Sequence, residues 1–212
     1  MYFSVNVSFA SLPLFVPTII EEIGAFTTIQ SQGLSAPPYA LCLIAIVVTA
    51  YVSDRLRMRG PFICGAALIA AAGFIMLATT EGAAPRYTGV FLAVLIFVCV
   101  SLLLSWTANI HASESKRTAG YIVLSTIGQC GPVLGTNIFP ESEKPYYRKG
   151  MWISCAFCFL VSVLSVTLSL WLIHENKKME RAGVLEPSDD PGEIKDSTSQ
   201  PIAVVRRHKY VW

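Results

Sequence analysis

Six stretches of this chain, approximately 2–21, 37–53, 61–80, 87–108, 119–139 and 150–173, are apolar over a length that can cross the hydrocarbon core of a bilayer. A helix needs about 20 such residues for that crossing. No water reaches the core of a bilayer, so each backbone N–H and C=O there must find its partner within the protein. The alternating ten-residue strands of a membrane barrel are absent from the sequence, which leaves helices. The expected fold is therefore all-α and integral to the membrane, with six transmembrane helices over residues 1–174. Composition agrees: 53% of residues are hydrophobic and 14% charged, against about 25% charged in a soluble domain. The second stretch is short, and Pro37-Pro38 at its entrance suit the first turn of a helix.

Residues 2–20 lack the basic start of a signal peptide, so the chain reads as one that begins inside a membrane span. The loops containing Arg55, Arg57, Arg59, Lys116 and Arg117 share a side with Lys177, Lys178 and Arg181, which makes eight basic residues. The opposite loops hold four, Arg86, Lys144, Arg148 and Lys149. The positive-inside rule puts the eight, and with them both termini, in the cytoplasm. From residue 175 the sequence is rich in Pro, Ser and charge, and reads as a disordered cytoplasmic tail over 175–212.

Several functions are disfavoured. A net charge of +2 gives no footprint for nucleic acid. The six cysteines lie inside apolar stretches, so Cys155 and Cys158 read as packing residues rather than a redox pair. His111 and Glu114 do not make a zinc site, and neither metal nor cofactor is expected. The central part of each span lacks Asp, Glu, Lys, Arg and His, which argues against a membrane enzyme with a catalytic dyad.

One short loop carries more chemistry than topology requires. "DRLRMRG" (54–60) joins the second and third spans and sets Asp54 beside Arg55. A carboxylate at a helix end can hold neighbouring arginines by charge-assisted bonds, forming a latch. "AYVSDRLRMRG" resembles the conserved G-x-x-x-D-R-x-x-R-R loop of the major facilitator superfamily, in its carboxyl-terminal copy. Asp54 and Arg55 match, Ala50 replaces the glycine, and Arg59 falls near the final basic pair. "LPLFVPTIIEEIG", "LSAPPYALCLIAIVVTAYVSDRL", "RYTGVFLAV", "SWTANIHASESKRTAGYIV" and "GTNIFPESEKPYYRKG" are similar, in order, to helices seven to twelve of the fungal anion:cation symporter group. That is the group of allantoate, nicotinate and pantothenate permeases.

The resemblance implies a carboxyl-terminal half of a twelve-helix carrier in the plasma membrane. It implies alternating-access transport of a small organic anion (a vitamin, ureide or other carboxylate), coupled to protons and completed by an amino-terminal six-helix half or a partner chain. The rival reading is a non-transporting membrane interaction protein that pairs with itself or with a full-length carrier. The first and fourth helices of each half line the cavity in that superfamily, which makes Asn6, Trp106 and Asn109 candidate substrate contacts. Asp54, Arg55 and Arg59 are the candidate latch. Gly128, Gly131 and Gly135 form a close-packing face on the fifth span for which the sequence shows no partner within the chain.

Overall fold

The computed structural model describes residues 1–24, 27–56, 58–110, 114–140 and 147–181. Among them lie eight helices and no strand: α1 (Tyr2–Gly24), α2 (Thr28–Leu56), α3 (Gly60–Thr79), α4 (Ala83–Ala93), α5 (Ile96–Ile110), α6 (Glu114–Gly128), α7 (Cys130–Asn137) and α8 (Arg148–Arg181). Five segments are long and apolar enough to cross a membrane: α1, α2, α3, the α4–α5 pair and α8. The expected span at 119–139 is built instead from two shorter helices, α6 and α7, which meet at Gln129.

α3 is the central element. Ile63, Ala67, Ala70, Phe74 and Leu77 are fully buried along it. Its small residues let neighbours approach to backbone distance, the usual route to helix association in lipid. On one side α8 lays down a row of serines: Ser165 donates to the Gly60 carbonyl at 2.8 Å and Ser162 reaches the Cys64 carbonyl at 3.5 Å. On the other side α4 presses so closely that a Cβ on Gly73 would lie 2.4 Å from the Ala93 nitrogen. Just beyond this contact the backbone tightens. Leu95, Phe97 and Val98 donate to carbonyls three residues back, at 3.0–3.2 Å, which separates α4 from α5.

α2 corrects the expected boundaries. It starts at Thr28, not at 37, and Pro37 and Pro38 lie inside it rather than at its entrance. Two local features explain this. Thr27 and Gln30 form a reciprocal capping box, with Gln30 N–H donating to Thr27 Oγ1 at 3.4 Å and Thr27 N–H to Gln30 Oε1 at 3.1 Å. Pro38 deprives the Leu34 carbonyl of its donor four residues on, and the Tyr87 hydroxyl of α4 donates to that carbonyl at 3.0 Å. α8 likewise runs to Arg181, past the expected end at 173, so residues 175–181 are helical rather than tail. The rest of the expected tail, 182–212, lies outside the described residues.

Opposite the DRLRMRG loop the bundle is closed by rings. Phe15 of α1 stacks on Phe139 at 4.4 Å between centroids, and Tyr147 closes on Phe15 at 5.6 Å. Arg148 donates to Glu81 Oε1 at 2.7 Å at this end, joining the start of α8 to the α3–α4 turn.

Candidate functional site

The charged loop is a hairpin between α2 and α3. Ser53 Oγ donates to the Met58 carbonyl at 3.0 Å and closes the turn. Asp54 stands in the last turn of α2 and Arg59 at the N-cap of α3. Each charge therefore faces the helix end whose dipole disfavours it: a carboxylate near a C-terminus, a guanidinium near an N-terminus. They offset this by pairing with each other, Arg59 Nη2 on Asp54 Oδ1. The Arg59 side chain is 7% exposed and that of Asp54 60%. Nε and Nη1 of Arg59 find no acceptor among the described residues. The guanidinium thus sits in the protein and depends on one carboxylate that reaches in from water. Arg55 points elsewhere and donates to the Tyr51 hydroxyl at 3.1 Å. Arg57 lies outside the described residues. Of the three candidate latch residues, two are brought together and Arg55 is not.

Immediately past this pair, α3 begins against α8 and α5. A Cβ on Gly60 would lie 1.6 Å from Ser169 Oγ and 3.3 Å from Cη2 of Trp106. Trp106 is accordingly 1% exposed, its ring packed between α3 and α8. Asn109 lies on the helical backbone of α5, and its side chain is outside the described residues.

Asn6 is 3% exposed, and its amide donates to the Gly128 carbonyl at 3.2 Å. Residue 132, four further on, is proline, so Gly128 has no backbone N–H to receive. Asn6 supplies the missing donor at the point where α6 gives way to α7. The three glycines lie along the same contact. A Cβ on Gly131 would be 2.7 Å from the Phe3 carbonyl oxygen, and one on Gly135 2.2 Å from that of Val7. Gly128 meets the Tyr2 ring in the same way, at 2.2 Å. The close-packing face thus has its partner within the chain. It is α1, which corrects the expectation of an unpartnered face.

Ser105 and Gln129, polar residues within the expected spans to which the sequence assigns no role, are exposed, as is Ser125 of α6. Their exposure depends on which faces of α5 and α6 are covered, which the sequence does not show. No cluster of three or more metal-ligating side chains occurs among the described residues.

Five membrane-length apolar segments among the described residues, with no strand, make this an all-α integral membrane protein. Curated relatives agree. The chain is 30% identical over 186 residues to the MFS transporter prlL of a fungal species (strain NRRL 50135), covering 85% of this chain and 37% of that protein. It is 29% identical to the high-affinity nicotinic acid transporter of Saccharomyces cerevisiae, covering 83% of this chain and 33% of that one. It is 28% identical to the MFS-type transporter cnsO of Penicillium expansum, covering 82% and 34%. Over most of its length the chain is similar to proteins named as transporters of the major facilitator superfamily, in line with a partial chain of that superfamily. It spans about a third of the length of the curated relatives it matches. No family profile matches it, and no solved structure does either.

Proposed function

We propose that the chain is the carboxyl-terminal six-span part of a carrier that moves a small organic anion across the plasma membrane by alternating access, driven by protons. The observation that carries this reading is the Asp54–Arg59 pair, two charges set at unfavourable helix ends and held by each other. Such a contact is poised: it strengthens one arrangement of α2 and α3 and is released in another. Similarity to a nicotinic acid transporter supports a carboxylate as the cargo. An amino-terminal half completes the cavity in this reading.

The reading is tested by uptake of labelled nicotinate, allantoate and pantothenate into vesicles carrying the chain together with an amino-terminal half. Asp54→Asn removes the charge that Arg59 relies on and keeps the shape of the loop. A charge-assisted bond contributes about 1.5–3 kcal/mol, discounted here because Asp54 is exposed. A residual ~1.4 kcal/mol still shifts a near-balanced equilibrium about tenfold. Uptake should fall by that order while insertion is kept, because Arg55, Arg57 and Arg59 still set the topology. Unchanged uptake in Asp54→Asn would remove the latch from the mechanism.

The second reading, a non-transporting chain that pairs with itself or with a full-length carrier, is favoured by α2. Only 17% of its apolar window is buried, and Leu43, Ile44, Val47 and Tyr51 face outward. Saturable uptake by the paired halves rejects it.

A further inference from the structure

α8 is longer than a membrane is thick. Its 34 residues rise about 51 Å at roughly 1.5 Å each, against about 30 Å for the hydrocarbon core. Two tryptophans show where the surplus lies. Trp152 and Trp171 are both exposed on this helix, and their separation in sequence puts them about 28 Å apart along its axis. That distance matches the core, and tryptophan is enriched at both of its boundaries. The pair therefore sets the bilayer on α8, and the helix from His174 onward emerges beyond it.

What emerges is sided. Ser162, Ser165 and Ser169 face α3, and Leu172 and Asn176 continue the same buried stripe. The opposite face is exposed. Leu160, Val163 and Leu170 cover its membrane-embedded part, and His174, Lys177 and Lys178 follow directly after Trp171. Three other cations are matched: Arg59 by Asp54, Arg148 by Glu81 and Arg55 by the Tyr51 hydroxyl. His174, Lys177 and Lys178 make no hydrogen bond or ion pair among the described residues, and half-buried Glu175 pairs with neither lysine. A lysine near a helix C-terminus also complements the dipole. That role needs neither a tryptophan below it nor an apolar strip leading away.

We propose that Trp171, His174, Lys177 and Lys178 form a docking surface for an anionic phospholipid of the leaflet at this end of α8. The ammonium groups and the His174 ring N–H meet the phosphate and its charged headgroup, with the lysine stems lying along the helix at the interface. The Trp171 ring lies at the glycerol level, and an acyl chain follows Leu170, Val163 and Leu160. A soluble anion would engage the charges alone. A lipid engages charges, ring and apolar strip together, which makes it the occupant that this surface fits. The inference stands apart from the transport reading, and its test requires no uptake.

The full chain is reconstituted in vesicles of about four parts phosphatidylcholine to one part phosphatidylserine, with bromine carried on the acyl chains of one lipid or the other. Bromine quenches tryptophan emission at contact, and subtracting the emission of Trp171→Phe isolates the Trp171 signal. Quenching per brominated molecule should be at least about twofold stronger when phosphatidylserine carries the bromine. Lys177→Gln with Lys178→Gln should remove that preference, and Lys177→Arg with Lys178→Arg should keep it. The Trp152 signal, isolated by Trp152→Phe, should show none, because Arg148 one turn away is held by Glu81. Equal quenching by the two lipids at Trp171, a preference that survives both glutamines, or an equal preference at Trp152 would overturn the proposal. So would a preference abolished by inorganic phosphate but not by chloride at the same ionic strength, which would make this a site for a soluble anion.

Discussion

Pro132 removes one N–H from the membrane interior, and Asn6 puts one back. The bond from Asn6 to the Gly128 carbonyl therefore has a consequence that a simple interhelical contact lacks. Asn6→Leu should lower stability by about 1–2 kcal/mol, because a carbonyl is left without a donor in an apolar setting. In a Pro132→Ala chain the same substitution should cost less than half as much, since residue 132 then donates to Gly128 itself. Unfolding in detergent by denaturant measures both, and equal losses in the two backgrounds would refute the assignment. Tyr87 stands in the same relation to Leu34 and Pro38. The sequence marked Asn6 as a polar residue within a span, and the family resemblance made it a candidate substrate contact; neither pointed to Gly128. Its acceptor lies 122 positions away, and only the packing of α1 on α7 makes them neighbours. Trp106 is similar: its place against Gly60 and Ser169 joins three helices that sequence order does not place side by side.

Between elements, the closest approaches are set by glycine, but the glycines are not equivalent. A methyl group on Gly135 would run into the backbone oxygen of Val7, which cannot swing aside, whereas one on Gly128 would meet a Tyr2 ring that can. Gly135→Ala should therefore destabilise by about 1–3 kcal/mol, the usual penalty for overpacking, and Gly128→Ala by less. Gly33→Ala, with nothing within 4 Å, should be neutral or stabilising by up to ~1 kcal/mol through helix propensity. Thermal unfolding of the three variants tests the order, and a Gly135→Ala chain as stable as Gly33→Ala would contradict the α1–α7 contact. Most spans were legible because hydropathy alone dictates them. Their interruptions were not, because Val94–Leu95 tightens under pressure from α3 and Gln129 marks a break that depends on a donor from α1. The start of α2 was legible in principle: Thr27 and Gln30 have capping-box spacing, but two prolines downstream argued for a later start.

For the molecule as a whole, the excess of lysine and arginine around the DRLRMRG loop and the end of α8 predicts, by the positive-inside rule, that both termini face the cytoplasm. Protease protection of tagged termini in sealed vesicles checks this, and an externally cleaved carboxyl terminus would invert the topology. The proposal that these helices are one part of a two-part carrier is tested by uptake of labelled nicotinate into liposomes holding the 212-residue chain, alone and together with a separately expressed amino-terminal half of a related MFS transporter. No saturable uptake is expected from the chain alone, and saturable uptake once the two parts co-purify. Saturable uptake by the chain alone, or none from a co-purified pair, would contradict it.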